Sequence, residues 1–474
     1  MNGLLELVLT WSVYVCLGYL LLVATLYTIL VVVSALDNAI RVRQTRAEDF
    51  RTLALSRFTV PVSVVVAAYN EAALIRECVQ SLLDLDYPEH EVIVVNDGST
   101  DETLELLRER FDLVPQHTYV RRVLATEPVR GIYRSRRDPR LVVVDKENGG
   151  KADALNCCIN FVRYPYVCGV DGDTVLFRDA LLRAMRPMLR DPARIIAVTS
   201  HLAISSAPED AVAGQHVVAD YRPLLAFQQI DYLRAFMTNR LAWSRLDFML
   251  CTVGAFQIWR RDVLEELGGF ARQFTCEDIE LTFRAHERYL REGRDYEILS
   301  LPHTVGVTEG PDRVRSLIAQ RERWQRVILE TFWAYRGMLG RRRYKAVGLA
   351  GMPFYLLSEV LAPVFEVLSV LALVTAAATG LLDPTTALYI GGALAFGTGL
   401  LTASAVLISD LAERVLPKRR LAALVLLAPL ELVLYRPALV YARLVGTVRF
   451  LRGDRRWNKF ERNARPRAVE RIAA

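Results

Sequence analysis

Two carboxylates separated by one glycine, Asp171-Gly172-Asp173, end the apolar run at 166–170. A buried strand delivers acidic groups in this way to the mouth of a parallel sheet. Oxygens so placed suit a hard divalent cation such as Mg²⁺ or Mn²⁺, which takes one or two protein carboxylates and completes its shell with water and substrate phosphates. Alone, the same three residues are an ordinary solvated turn. A second apolar run, 91–95, ends in Asn96-Asp97-Gly98-Ser99. There Asp97 can accept hydrogen bonds from a base or ribose, or merely cap the next helix. Glu277-Asp278 opens a helical stretch. Asp278 suits a general base if a hydroxyl comes within reach, although acids are favoured in a first turn anyway. In Gln320-Arg321-Glu322-Arg323-Trp324 a guanidinium able to grip a diphosphate stands beside an indole able to stack on a sugar. A helix with one surface arginine and one buried aromatic has the same look. It is the order and joint occurrence of these groups that gives them weight.

Alternating strands and helices must position them. The continuous apolar run 61–67 reads as a strand buried on both faces. Tyr69-Asn70-Glu71 follows it, then a helix with Leu74, Ile75, Cys78, Val79, Leu82 and Leu83 at helical spacing. Strands are predicted at 91–95, 141–144, 166–170 and 195–199, with Gly149-Gly150-Lys151 leading into a helix at 152–162. This rhythm predicts an α/β fold with an open, doubly wound sheet and ligands at the carboxyl ends of its strands. The arginine-rich stretch 121–140 reads as an inserted surface loop. Beyond residue 207 the rhythm is lost. A long aromatic-rich helix is predicted over 215–243, helices at 279–288 and 311–333, and a strand at 296–307.

Composition separates the chain into two populations. Of 474 residues 52% are hydrophobic, yet 24% are charged, and the apolar sequence is concentrated at the two ends. Residues 4–36 carry a single charge, Glu6, and exceed the roughly 20 residues that cross a bilayer. With no basic segment before them and no small-residue cleavage site after, they read as a span rather than a signal peptide. Arginines follow at 41, 43, 46, 51 and 57, which predicts an external N-terminus and a cytoplasmic domain beyond. Further apolar runs lie at 347–382, 385–408 and 421–435. If each crossed once, the basic tail would end outside, so either 347–363 or the stretch from 421 is expected to be interfacial or re-entrant. The partition expected is a span at 1–40, a basic linker at 41–59, a soluble domain at 60–340, membrane and interfacial helices at 341–446 and a basic tail at 447–474. A net charge of +6 without basic patches interleaved with aromatics argues against nucleic acid. Seven cysteines without Cys-x-x-Cys spacing read as buried thiols, and six scattered histidines form no metal motif.

The ordered series Ala68-Tyr69-Asn70-Glu71, Asn96 to Asp101, Gly150 to Asn156, Asp171-Gly172-Asp173, Glu277-Asp278 and Gln320 to Trp324 resembles the family 2 glycosyltransferases. The likeness spans residues 60 to 335 and is strongest to the membrane-embedded processive branch, the cellulose, chitin, hyaluronan and poly-N-acetylglucosamine synthases. It implies a GT-A fold, a UDP-sugar donor with Mg²⁺ or Mn²⁺, inversion at the anomeric carbon, and a growing polysaccharide passed through the protein's own membrane helices, with room for accessory secretion subunits. By position, Asp97 would hold the uridine with Tyr69 and Glu71 nearby, and Lys151 would lie beside the nucleotide. Asp171 and Asp173 would form the metal and diphosphate site, Asp173 as the direct ligand. Asp278 would be the general base with Glu277 alongside, and Gln320, Arg323 and Trp324 would bind diphosphate and acceptor. The chain departs from the family at Cys276, where threonine is usual, at Asp153, where glycine is common, and in showing one N-terminal span where several relatives have two. A non-processive enzyme adding one sugar to a lipid-linked acceptor is the alternative.

Overall fold

The structure is a computed structural model that describes residues 3–45, 59–117, 121–208, 212–213, 216–217, 222–414 and 416–454. Among the described residues twelve strands are formed: β1 Val62–Ala68, β2 His90–Asp97, β3 Leu113–Pro115, β4 Val129–Ser135, β5 Leu141–Lys146, β6 Tyr166–Asp171, β7 Thr174–Leu176, β8 Ile195–Ser205, β9 Val212–Ala213, β10 His216–Val217, β11 Phe256–Arg260 and β12 Glu297–Glu309. All but β9 and β10 join one sheet, in the order β3-β4-β5-β2-β1-β6-β11-β8-β12-β7. β1 pairs in parallel with β2 and β6, and β2 with β5, as the βαβ rhythm predicts.

Beyond β6 the sheet departs from that prediction. β11 lies antiparallel between β6 and β8, so the sheet is mixed. The stretch 121–140 is not simply a loop either. Its residues 129–135 form β4, antiparallel to β5 near the sheet edge. Long arginine side chains tolerate an edge position because they stay solvated there. The helix expected over 215–243 begins only at Pro223, a residue preorganised for a first helical turn, and runs to Arg245 through a π-helical segment, Arg234–Arg240.

The central strands are apolar throughout because both of their faces are covered. Helices Ile75–Leu83 and Ala180–Arg190 pack on one face, and Lys151–Phe161 and Glu277–Arg291 on the other. Val62, Val64, Val65, Val66 and Ala68 of β1 are fully buried between them. The acidic sequences thereby emerge together at the carboxyl edge of the sheet. All seven cysteines are unpaired thiols, six of them buried.

Among the described residues two helices are long and apolar enough to cross a membrane, Leu7–Arg41 and Pro384–Ala412, or up to four if each of two bent pairs counts as one span. Val347–Val360 meets Ala362–Ala378 at 51°, and Lys418–Leu434 meets Arg436–Leu451 at 49°. Pro363 and Pro437 stand in the first turn after each bend, where a proline has no backbone hydrogen bond to lose. These bent pairs contain the two segments expected to be interfacial or re-entrant. Residues 46–58 of the predicted basic linker and 455–474 of the tail lie outside the described residues.

Candidate active site

The loops after β1 and β2 are stitched to each other. The Asn70 backbone N–H donates to Ser99 Oγ at 3.0 Å, and Thr100 N–H donates to Asn70 Oδ1 at 2.8 Å. Glu71 N–H donates to Thr103 Oγ1 at 2.8 Å. Asn70 holds the left-handed backbone (φ 55) that this turn requires, a conformation asparagine tolerates better than most residues. Tyr69 and Glu71 are so held at the cavity edge. Glu71 also lies against Gly172, where a Cβ would stand 3.0 Å from its side chain.

Asp97 is almost wholly buried and serves its own chain first. Its Oδ1 accepts from Lys146 Nζ at 2.6 Å and Gly149 N–H at 3.0 Å, and its Oδ2 from Gly150 N–H at 2.8 Å. A carboxylate accepts about four hydrogen bonds, so Oδ2 retains capacity for one more. Lys146, with no exposed side-chain surface, is shared with Asp153 at 2.6 Å. Burial alone would lower its pKa, but the hydrogen bonds and charges of Asp153 and Asp97 outweigh burial and hold it above the ordinary lysine value. Asp153 thus has a structural reason to stand where the family commonly has glycine: it balances Lys146. Gly149 must then be small, because a Cβ there would sit 2.6 Å from Asp153. Sequence reasoning missed Lys146. Its only signal was a lysine closing an apolar strand.

This triad fixes the turn into helix Lys151–Phe161 and so aims Lys151. The Lys151 ammonium lies 2.7 Å from Asp171 Oδ1 and 2.8 Å from Glu277 Oε1. Burial pulls its pKa down, while Asp171, Glu277 and Asp278 raise it further, leaving it well above the usual lysine value. Burial raises the Glu277 pKa, with Lys151 opposing and Asp278 reinforcing that rise. Asp278 is clamped on both oxygens. Oδ2 accepts Gly254 N–H at 2.7 Å, and Oδ1 accepts Ile279 N–H at 2.7 Å and the Cys276 thiol at 2.9 Å. Cys276 therefore supplies the donor that a threonine hydroxyl would supply.

Gly254 was not singled out from the sequence, yet it lies against three groups of this cluster. A Cβ added to it would stand 2.9 Å from Lys151 Nζ, 3.1 Å from Asp278 Oδ2 and 3.3 Å from Glu277 Oε1. Gly254→Ala is expected to lower turnover by about 10²-fold, the scale set by misplacing a catalytic group by about 1 Å. The melting temperature should fall by only a few degrees. Steady-state kinetics beside a thermal melt checks this, and near-normal turnover would remove Gly254 from the machinery.

Asp173 lies in the β6–β7 turn, where Thr308 Oγ1 donates to its Oδ1 at 3.3 Å. Among the described residues no cluster of three or more His, Cys, Asp or Glu could hold a metal unaided. Two carboxylates at a strand end, with phosphate oxygens to complete the shell, nevertheless fit the chemistry of Mg²⁺ or Mn²⁺. Gln320, Arg323 and Trp324 lie on helix Val314–Tyr335. Burial lowers the Arg323 pKa, while Cys276, Asp171 and Glu277, close enough to act on its charge, oppose the fall.

All eleven residues singled out from the sequence line a single cavity of about 3330 Å³. From the sheet edge it continues between the apolar helices, past Tyr19, Tyr27, Thr398, Arg436 and Arg443.

Comparison with known proteins places the chain in a family. The model of Glycosyl transferase family 2 matches residues 63–268, and that of Glycosyl transferase family group 2 matches residues 166–398. The chain is similar to the poly-beta-1,6-N-acetyl-D-glucosamine synthase of Staphylococcus epidermidis, 27% identical over 277 residues, which are 57% of this chain and 56% of that protein. Its counterpart in Staphylococcus aureus strain COL is 25% identical over 278 residues, 58% of this chain and 57% of the other. The matched region is therefore little more than half the length of these relatives. Among solved structures, the mannosyltransferase PcManGT from Pyrobaculum calidifontis, in complex with GDP-Man and Mn²⁺, superposes with a TM-score of 0.53 at 20% identity, covering 91% of this chain and 99% of that one. It shares the GT-A fold. Between them the two family models run from the first strand of the sheet into the apolar helices, over every acidic strand end described above, and the chain belongs to the family 2 glycosyltransferases.

Proposed function

We propose that this glycosyltransferase elongates a polysaccharide processively, taking sugar from a UDP-sugar on the cytoplasmic face and passing the product out between its own helices. Names of the relatives suggest N-acetylglucosamine as the sugar to test first. The observation that carries the reading is the continuity of one cavity from Asp278, past Trp324, to the apolar helices.

Asp97, Tyr69 and Glu71 bind the nucleoside, the remaining capacity of Asp97 Oδ2 facing the base. Lys151, Gln320 and Arg323 meet the diphosphate, and Glu277 holds Lys151 in place. Asp173, with Asp171, would hold the divalent cation, which when bound supplies positive charge to the departing diphosphate. Trp324 gives the acceptor sugar a flat apolar face. Asp278 takes the proton of the acceptor hydroxyl, whose oxygen bonds to the anomeric carbon as the bond to UDP breaks on the opposite side. Configuration therefore inverts. The hydrogen bonds to both of its oxygens keep Asp278 oriented. The Lys151 and Arg323 cations face charge that grows on UDP, where fixed positive groups lower the barrier most.

The test is purified protein in proteoliposomes with UDP-N-acetylglucosamine and Mn²⁺ or Mg²⁺. Products many sugars long, some protected from an added glycosidase inside the vesicle lumen, are expected, and EDTA should stop their formation. A product never longer than one added sugar, soluble in organic solvent, would replace the processive reading with transfer to a lipid-linked acceptor. Release of nucleotide from GDP-sugars alone would overturn the donor assignment.

A further inference from the structure

The proposed acceptor platform, Trp324, is itself held by a chain of buried ions that the reaction does not call on. The Arg321 guanidinium carbon lies 4.1 Å from the centroid of the Trp324 ring. The two residues are three apart on one helix, so their side chains rise on the same face. A cation over an indole face is attracted by the ring's quadrupole. The Tyr232 ring, its centroid 6.2 Å away and tilted by 43°, packs against the same indole, and both rings line the cavity.

Arg321 is only 8% exposed and would be costly to bury alone. Asp231 balances it at 2.9 Å, and the Tyr435 hydroxyl accepts from it at 3.4 Å. Asp231 in turn holds Arg234 at 2.7 Å. Arg234 reaches both carboxylate oxygens of Glu431 at 2.8 Å, and the Thr402 hydroxyl donates to Glu431 at 3.2 Å. Glu431 and Thr402 are each 1% exposed. Thr402 belongs to the apolar helix Pro384–Ala412. Arg234 opens the π-helical segment Arg234–Arg240, and such wide turns re-aim side chains that a regular helix would direct elsewhere. An unbroken series of charge-assisted contacts therefore runs from the indole to a helix long enough to cross the membrane.

We propose that Arg321 and Asp231 are positioning residues that fix the face of Trp324 on which the acceptor sugar stacks, and that Arg234, Glu431 and Thr402 index that face to helix Pro384–Ala412. The proposal rests on the reading of Trp324 as the acceptor platform. It assigns selectivity to groups that touch no substrate. Without the guanidinium, the indole keeps its chemistry but loses its fixed plane, and the acceptor pays for that while the nucleotide does not.

The test compares Arg321→Met, Arg321→Lys, Asp231→Asn and Trp324→Ala in the full-length, membrane-reconstituted protein. A short β-1,6-linked N-acetylglucosamine oligosaccharide serves as acceptor. KM for acceptor and for UDP-sugar are measured separately, and oligosaccharide binding is followed by tryptophan fluorescence. Arg321→Met and Asp231→Asn should raise acceptor KM roughly ten-fold, on the scale of one desolvated cation–π contact, with donor KM within about two-fold of the unaltered protein. Arg321→Lys, which keeps a cation over the ring, should recover much of the loss. If Trp324→Ala raises acceptor KM and Arg321→Met does not, the network assignment falls and the acceptor reading stands. If neither raises it, both fall. If Arg321→Met shifts both KM values equally and lysine does not rescue, the network only supports the fold and the proposal is wrong.

Discussion

Asp278→Asn is expected to abolish sugar transfer, lowering turnover by about 10²–10⁴-fold, the contribution of a well-placed general base. Asparagine keeps the size of the side chain but cannot accept the acceptor's proton. It also meets a local conflict. Both Asp278 oxygens accept in the folded chain, from Gly254 N–H on one side and from Ile279 N–H and the Cys276 thiol on the other. Whichever way the amide turns, its NH₂ faces a donor, at a cost of about 1–3 kcal/mol. The melting temperature should therefore drop slightly while UDP still binds. Isothermal titration with UDP separates the two effects. Retention of more than about a tenth of turnover would remove Asp278 from the role of base, because a lost base costs at least about 10²-fold.

Lys151→Met is expected to cost both stability and activity, with a pH signature. Its ammonium neutralises Asp171 and Glu277 together. Removing one partner of a buried ion pair leaves the other charge uncompensated, typically by 3–5 kcal/mol. Lys151 keeps 24% of its side-chain surface exposed, so about 3 kcal/mol is the appropriate figure. The pH dependence follows from Glu277, whose pKa burial already raises above its ordinary value of 4.5 and Lys151 pulls back. Without Lys151 it rises further. A carboxyl whose folded pKa exceeds its unfolded one contributes stability at low pH and loses it as pH rises through the folded value. The deficit in melting temperature should thus be larger at pH 8 than at pH 5. A deficit that does not change with pH would mean Lys151 does not act through Glu277.

How much of this was legible beforehand varied with the range of the interaction. The parallel half of the sheet could be read because uninterrupted valine and isoleucine runs mark strands buried on both faces, and each acidic sequence stood where such a run ended. The antiparallel β11 could not, since its five residues carry no periodicity that separates a short strand from a turn. Arg130 and Arg134 disguised β4 as a loop, because a strand next to the sheet edge with one face toward solvent needs only half of its side chains apolar. The eleven residues named from the sequence meet in one cavity. What escaped were the groups that aim them. Lys146 acquires its meaning from Asp97, 49 residues earlier, and Gly254 from Asp278, 24 residues later. Arg321 looks like any helix-surface arginine until Asp231 and Trp324 are seen on either side of it. Local pattern specifies elements and their ends; partnerships made across the sheet and across the apolar helices leave no spacing to read.

The helix that carries Gln320, Arg323 and Trp324 has a further consequence, for the timing of synthesis. It lies along Arg436–Leu451, the last described helix, so closely that a Cβ on Gly446 would stand 2.5 Å from the Glu322 carbonyl oxygen. Arg443 donates to Gln325 at 2.8 Å and Arg449 to Glu322 at 3.2 Å. At roughly 5–20 residues per second, the ribosome delivers that bracing helix on the order of ten seconds after residue 335. During that interval the strands of the sheet and the acidic residues have all been synthesised, but the helix that carries Trp324 still lacks its brace. A chain made in this order gains the support of its Trp324 helix only after every other described helix has been synthesised.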